Sequence, residues 1–200
     1  MIVARQKFCE DGVKAMEKNR VRNMAAVAVM TALMCVLGPL SVPVGPVPFS
    51  LQVFVVYLSV YALGARRGAL AVVLYLLIGC VGLPVFSGFA GGPGKLFGPT
   101  GGFLVGFVPL AVVSGWFIDR WESNVVVQFA GMLLGLATLY LFGAVWLAKV
   151  ANLSFDTSMA AAVYPFVPVD ALKIVLAIRL GRVLRRRLRA AGTQGEPPER

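Results

Sequence analysis

The chain alternates between long apolar stretches and short breaks rich in glycine, proline or charge. Each stretch approaches the roughly 20 apolar residues that a helix needs to cross a bilayer. The pattern predicts an all-α, polytopic membrane protein in which six transmembrane helices form one bundle. The predicted spans are residues 23–42, 49–64, 68–83, 101–118, 124–148 and 159–181.

The composition excludes a soluble fold. Of the 200 residues, 58% are hydrophobic and 14% are charged, whereas a soluble domain carries about 25% charged residues. A single core in a chain of this length cannot cover that much apolar surface. The bilayer is therefore the main solvent, and residues 23–185 are predicted to form one membrane domain with no second domain beside it.

Basic residues concentrate next to the ends of the predicted helices. Sixteen of the 19 lysines and arginines fall in segment 1–22, in the connections after the second and fourth spans, or at the C-terminal end. Because such residues accumulate on the cytoplasmic side, we expect both termini to be cytoplasmic. Segment 1–22 is then a cytoplasmic tail, and residues 186–200 form a basic and then disordered tail. Lipid headgroups account for the net charge of +10, so no nucleic-acid partner is predicted.

Few residues with catalytic or metal-binding chemistry are present. Histidine is absent, which removes the commonest general base and metal ligand. The three cysteines are far apart in sequence, and Cys35 and Cys80 lie inside apolar runs, as small buried residues do. The sequence predicts no metal site and no cofactor. An integral membrane enzyme that uses Asp170 as a base is the weaker alternative.

A glycine-rich connection, PVFSGFAGGPGKLFGPT (residues 84–100), follows the third span. It is not a nucleotide-binding P-loop, because Leu96 stands where that motif needs serine or threonine. Glycines let backbone groups approach a ligand closely, and Phe86, Phe89 and Phe97 can cover an apolar ligand. Thr100 is a candidate N-cap for the fourth span. We interpret the loop either as a lid over an outward-facing pocket or as a floppy linker.

Asp170 and Lys173 are the only charged residues of the last span before its cytoplasmic end. Three positions apart, they share one helix face. A charge near the bilayer centre costs at least about 2.5–3.5 kcal/mol, so both residues need partners or a polar cavity. Either the two form a ligand site, or they are a self-neutralising ion pair that fixes helix packing. Gln52, Tyr57 and Tyr140 are further polar candidates for a pocket.

The first span carries small residues four positions apart, Ala28 and Ala32, with Ala25 nearby. Such spacing allows the backbones of two helices to approach closely. The face serves either internal packing or the docking of another membrane protein.

Two segments, GLPVFSGFAGGPGKLFGPTGGFLVGF (residues 82–107) and VPVDALKIVLA (residues 167–177), combine the loop with the charged pair. Together they resemble the BioY family, the biotin-binding S-components of energy-coupling-factor (ECF) transporters. The resemblance extends over about residues 24–185. It implies six helices in a prokaryotic plasma membrane and a biotin pocket on the outward side, beneath the loop between the third and fourth spans.

The resemblance also assigns roles to individual residues. Asp170 and Lys173 match the substrate-binding pair of the family. Ser87 or Gly88 stands where a polar side chain often occurs, and Phe103 replaces a frequent tyrosine. The loop positions that match the glycine-rich motif are Gly91, Gly92, Gly98, Pro99, Thr100 and Gly101.

The implied ligand is biotin, as cargo and not as a cofactor. Its ureido group has N–H donors, its carboxylate is an acceptor and its body is apolar, so Asp170 and Lys173 can hold opposite ends or the same end. The implied partners are membrane lipids and an ECF module, in which a transmembrane coupling subunit docks on the Ala25–Ala28–Ala32 face and carries two cytoplasmic ATPases. The alternative is a stand-alone biotin secondary transporter or facilitator without ATPase subunits.

Overall fold

The computed structural model describes residues 2–43 and 47–190, and helices account for most of them. Two short strands, β1 (Ser41–Val42) and β2 (Phe49–Ser50), pair antiparallel in the connection that was predicted as a proline-rich bend. The helices are α1 (Ile2–Leu37), α2 (Gln52–Leu63), α3 (Ala65–Cys80), α4 (Pro93–Phe97), α5 (Gly101–Arg120), α6 (Val125–Val150), α7 (Phe155–Ala162) and α8 (Val167–Ala190).

Several of these helices can cross a membrane. By length and hydropathy, residues 19–37 of α1 qualify together with α5 and α6. A fourth span results if α7 and α8 are one broken span, and α2 is a shorter apolar helix. These helices agree with the predicted class, a helical membrane protein with several spans. The predicted count of six spans is larger than the three or four spans that helix length and hydropathy give for the described residues.

The predicted last span, residues 159–181, is not one continuous helix. Helices α7 and α8 meet at an angle of 52°. Pro165 and Pro168 lack the N–H that an uninterrupted helix would use, and the break falls between residues 162 and 167. Helix α8 resumes with the Asp170 N–H donating to the Phe166 carbonyl at 2.8 Å. The break therefore separates a short α7 from the helix that carries the charged pair.

Helix α1 runs through the predicted boundary at residue 22. It begins at Ile2 and continues to Leu37, so most of the predicted N-terminal tail is helical and joined to the first span. The predicted disorder near the C-terminus falls on residues 191–200, which lie outside the described residues, as do residues 44–46 of the bend.

Helix α2 is the most buried helix, since ten of its 12 residues are buried. The Tyr57 hydroxyl donates to the Met132 carbonyl of α6 at 2.9 Å, which satisfies a polar group inside the bundle. The start of α2 follows directly from β2. This central position brings Ser50 and Gln52 into hydrogen bonds with Lys173 of α8 and Tyr75 of α3.

Helices α5 and α6 pack closely through glycines. A Cβ on Gly102 would lie 2.2 Å from the Trp146 side chain, and a Cβ on Gly143 would lie 2.2 Å from the Phe103 ring. Small residues at such an interface let the two backbones approach. The close pairing holds the N-terminus of α5 beside the C-terminal part of α6.

Candidate functional site

A cavity lies between β2, the N-terminal ends of α2 and α5, the middle of α6 and the α7–α8 break. Its empty space, including the open mouth, is about 540 Å³. Most of the wall is apolar, and a few polar groups converge on it, which is the usual character of a small-molecule site. The lining residues are Val47, Pro48, Ser50, Gln52, Val53, Ser87, Thr100, Phe103, Leu104, Phe107, Leu139, Tyr140, Ala162, Phe166, Asp170 and Lys173.

Asp170 and Lys173 face this cavity from one side of α8, as their spacing predicts. Asp170 is 2% exposed, and the Lys173 ammonium lies 2.8 Å from its Oδ1. The Tyr140 hydroxyl of α6 donates to Asp170 Oδ2 at 2.7 Å. Both carboxylate oxygens therefore accept a hydrogen bond, which offsets the cost of burying the charge.

Lys173 also connects α8 to the strand before α2. Its ammonium donates to the Ser50 carbonyl at 2.8 Å. Two of its three N–H donors are thus used by described residues, and the third is left for another acceptor. The Ser50 hydroxyl donates to Gln52 Oε1 at 3.1 Å, and the Gln52 amide donates to the Tyr75 hydroxyl. The charged pair therefore adjoins a series of hydrogen bonds that runs from Ser50 through Gln52 to Tyr75.

Thr100 occupies the N-cap position of α5, as expected, but its side chain makes no capping hydrogen bond. The hydroxyl is instead buried without a partner among the described residues, on the cavity wall. A buried hydroxyl without a hydrogen bond is costly, so a ligand that supplies the bond would be favoured. Ser87 lines the same cavity and is 6% exposed.

Three phenylalanines form an aromatic wall of the cavity, and the sequence offers little indication of it. Phe103 and Phe107 lie one turn apart on α5, and Phe166 lies in the α7–α8 break, stacked on Phe49 with ring centroids 4.2 Å apart. The signal that points to Phe103 and Phe107 is their spacing of four after the GPTGG segment, because residues four apart share a helix face. Phe166 carries no comparable local signal.

Six of the residues predicted for the site do not line the cavity: Phe86, Gly88, Phe89, Gly91, Gly92 and Gly98. Phe86 is fully buried beneath the loop, where its ring packs edge-on against Tyr75 at 5.5 Å. Phe89 is instead 67% exposed on the outside of the loop. In this structure, neither ring covers the cavity as the sequence suggested.

The loop glycines fasten the loop to the body. The Gly92 N–H donates to the Gly79 carbonyl at 2.7 Å, and the Trp146 indole donates to the Gly98 carbonyl at 3.0 Å. A Cβ on Gly91 would lie 2.2 Å from the Leu83 carbonyl oxygen, so only glycine allows that approach. The loop is therefore bound to α3 and α6, and only its Ser87 and Thr100 reach the cavity.

The small residues of the first span, Ala25, Ala28 and Ala32, are all exposed in the isolated chain. They lie on α1 together with exposed larger residues, Val21, Met24, Val29 and Val36. These alanines therefore do not pack against the other described helices, as the internal-packing explanation would require.

Comparison with known proteins identifies the family. A sequence model of the BioY family matches residues 11–190. The biotin transporter BioY of Thermotoga maritima is 41% identical over 157 residues, which cover 78% of this chain and 92% of the relative. The biotin transporter BioY of Rhizobium etli is 39% identical over 174 residues, which cover 82% of this chain and 92% of the relative.

A solved structure extends the similarity to the fold. It is the crystal structure of the S-component for biotin from an ECF-type ABC transporter, with a TM-score of 0.79 and 29% sequence identity over 84% of this chain and 93% of that chain. BioY proteins are transporters and not enzymes, so the prediction that this chain is not an enzyme is confirmed. The apolar helices make it a multi-pass membrane protein. The chain belongs to the BioY family.

Proposed function

We propose that this chain is the biotin-binding S-component of an ECF-type uptake transporter. The observation that carries the proposal is the buried Asp170–Lys173 pair, which opens onto a cavity instead of being enclosed by packed side chains. Relatives named as biotin transporters, and a structural match to an S-component for biotin, support biotin as the ligand.

The charge of the pair indicates which end of biotin it holds. Asp170 and Lys173 neutralise each other, so they suit the neutral ureido group, which has N–H donors for the carboxylate and a carbonyl for the free N–H of Lys173. The biotin carboxylate then lies toward Thr100 and the N-terminus of α5, where the Thr100 hydroxyl, which has no partner among the described residues, and the helix dipole favour an anion. The fused rings and the valeryl chain pack against Phe103, Phe107 and the other apolar wall residues.

Biotin amide tests this orientation, because it lacks the negative charge but keeps the ureido ring. We expect Thr100→Val to lower the affinity for biotin more than the affinity for biotin amide. Lys173→Ala should lower both affinities equally. If Lys173→Ala weakens biotin but not the amide, Lys173 binds the carboxylate and the orientation is reversed.

We further propose that the protein crosses the membrane six times, with α7 and α8 as one broken span and both termini in the cytoplasm. The cavity then opens to the outside. Support comes from the distribution of basic residues and from the distance between the cavity and the arginine-rich end of α8. Cysteine accessibility to a membrane-impermeant reagent, at the exposed positions Phe97 and Arg186 replaced one at a time, measures the orientation directly.

The exposed alanines of α1 are proposed as the face for the transmembrane coupling subunit. We expect Ala28→Leu to reduce biotin uptake in cells that contain the complete ECF module and to leave biotin binding by the purified chain unchanged. Uptake by the chain in cells without coupling ATPases would instead favour a stand-alone transporter.

The decisive experiment is equilibrium binding by the purified full chain in detergent. We expect it to retain tritiated biotin and to release it when unlabelled biotin is added. A folded preparation that retains no biotin would contradict the proposal.

A further inference from the structure

A second cavity lies at the other end of α8, next to the connection between α5 and α6. Its empty space, including open solvent, is about 800 Å³. Arg185 follows Lys173 by 12 residues, which is about 18 Å along a helix. The cavity is therefore separate from the candidate biotin site. It is lined by Tyr61, Glu122, Ser123, Gln128, Arg182, Arg185 and Arg186.

Arg185 is held firmly in the wall of this cavity. Its Nη2 donates to Asp119 Oδ1 at 2.8 Å and to Glu122 Oε1 at 2.7 Å, and its side chain is 13% exposed. Its Nε is buried and finds no acceptor in residues 2–43 or 47–190. Arg185 therefore fixes the wall of the cavity through its two carboxylate partners.

The surrounding polar groups are fixed by hydrogen bonds. The Gln128 amide is 2% exposed, donates to the Trp121 and Glu122 carbonyls at 2.9 and 2.8 Å, and accepts from the Tyr61 hydroxyl at 2.8 Å. The other oxygen of Asp119 accepts from the Ala65 N–H at 2.7 Å. The site is therefore built before any ligand enters it.

Two further guanidinium groups at this cavity have no carboxylate partner in the part of the chain that the structure describes. Arg182 donates to Gln128 Oε1, but at 3.4 Å and to an oxygen that Tyr61 already uses. Arg186 is exposed at the rim. Among the described side chains, two carboxylates face three arginines here, so this set retains one positive charge.

We propose that this cavity is a binding site for a phosphate group, with an anionic phospholipid headgroup as the occupant. Guanidinium forks match the oxygens of a phosphate, and they bind it more strongly than they bind neutral acceptors. Basic pockets between membrane helices are typical headgroup sites. The topology proposed above puts the arginine-rich end of α8 within reach of cytoplasmic headgroups, and a phosphate there would supply acceptors for Arg182 and Arg186.

The test uses the purified full chain in nonionic detergent, with thermal unfolding as the readout. Three probes are added separately: short-chain phosphatidylglycerol, short-chain phosphatidylcholine and inorganic phosphate. A ligand that binds only the folded protein raises the melting temperature with concentration. We expect phosphatidylglycerol to do so and phosphatidylcholine to have little effect.

Two variants of α8 localise the effect. Arg182→Gln removes a cavity guanidinium, and Arg187→Gln removes the same charge from an exposed position that does not line the cavity. We expect Arg182→Gln to weaken phosphatidylglycerol binding about tenfold, the size of one lost charge-assisted hydrogen bond. The control should change it less than about twofold.

Biotin binding reports separately whether each variant is folded, so failure of this proposal and failure of the biotin proposal are distinguishable. If Arg182→Gln lowers biotin binding as well, Arg182→Lys, which keeps the charge but loses the planar fork, replaces it in the same titration. An Arg182-dependent shift with inorganic phosphate alone assigns the site to a soluble phosphate compound. No shift with phosphatidylglycerol or phosphate, or equal losses in Arg182→Gln and Arg187→Gln, overturns the proposal.

Discussion

The two ends of α8 place charged side chains in opposite settings. At one end, Asp170 is almost fully buried, and Tyr140 and Lys173 satisfy both of its oxygens. At the other end, Arg185 is shared by two carboxylates, and the Asp119 side chain is 37% exposed. One end is a neutral pair in an apolar cavity, and the other is a positive cluster open to solvent.

The difference follows from what surrounds the charges. A buried pair is expensive to desolvate and strongly destabilised when one partner is lost, whereas an exposed pair contributes little and is screened by salt. The first kind of site responds sharply to substitution and weakly to ionic strength. The second kind responds in the reverse way, and the predictions below test that contrast.

The largest effect is expected for Lys173→Ala. It leaves the Asp170 carboxylate buried without its cation and removes a donor from the cavity, so biotin binding should weaken by about 2 kcal/mol or more, or roughly 30-fold. Isothermal titration on the detergent-purified protein measures the change. Lys95→Ala is the control, because Lys95 lies in α4 and does not line the cavity. Equal affinities in a folded Lys173→Ala variant and the wild type would remove the pair from the site.

A smaller loss is expected for Tyr140→Phe. The substitution removes one hydrogen bond to Asp170 and keeps the ring, so biotin affinity should fall by about 1 kcal/mol, or roughly fivefold. Tyr164→Phe, at a tyrosine that is 63% exposed, should leave the affinity unchanged. If the two variants behave alike, Tyr140 does not position the carboxylate.

At the opposite end, Asp119→Asn should lower the free energy of unfolding by about 0.5–1 kcal/mol, because the affected ion pair is partly exposed. Biotin affinity should not change. Thermal unfolding at low and high salt separates the electrostatic part, since the difference from the wild type should shrink as salt rises. If Asp119→Asn lowers the free energy of unfolding more than Lys173→Ala does, the contrast between the two ends is reversed.

The smallest effect concerns salt itself. Between about 0.05 and 0.5 M sodium chloride, biotin affinity should change less than about twofold, because the Asp170–Lys173 pair is shielded from solvent. Phosphatidylglycerol binding at the arginine cavity should weaken several-fold over the same range. Equal salt dependence at both sites would show that burial does not distinguish them.

Local sequence patterns anticipated part of this architecture. The spans 101–118 and 124–148 correspond closely to α5 and α6, since the GPTGG segment and charged or polar residues bound the apolar runs. The spacing of Asp170 and Lys173 was also sufficient to predict that their side chains lie together, because residues three apart share one helix face. Such features depend on neighbours within one or two turns.

Other features depend on residues that are distant in sequence. The Ser50 carbonyl accepts from Lys173 across 123 positions, and no local pattern marks it. Phe86 was expected at the ligand, but its ring fills a space beside Tyr75 that exists only when the loop packs on α3. The break between α7 and α8 was signalled by two prolines, although its angle depends on packing.

The sequence by itself determined that this is a helical membrane protein that resembles the BioY family, with two opposite charges on one face of its last helix and a glycine-rich loop, because hydropathy, periodicity and motif spacing are properties of neighbouring residues. Only the tertiary structure decided which side chains enclose a cavity, which loop residues reach it, and that a second cavity forms around Arg182 and Arg185. Those outcomes require helices from distant parts of the chain to pack, and the packing, not the local pattern, places a hydroxyl or a guanidinium beside empty space.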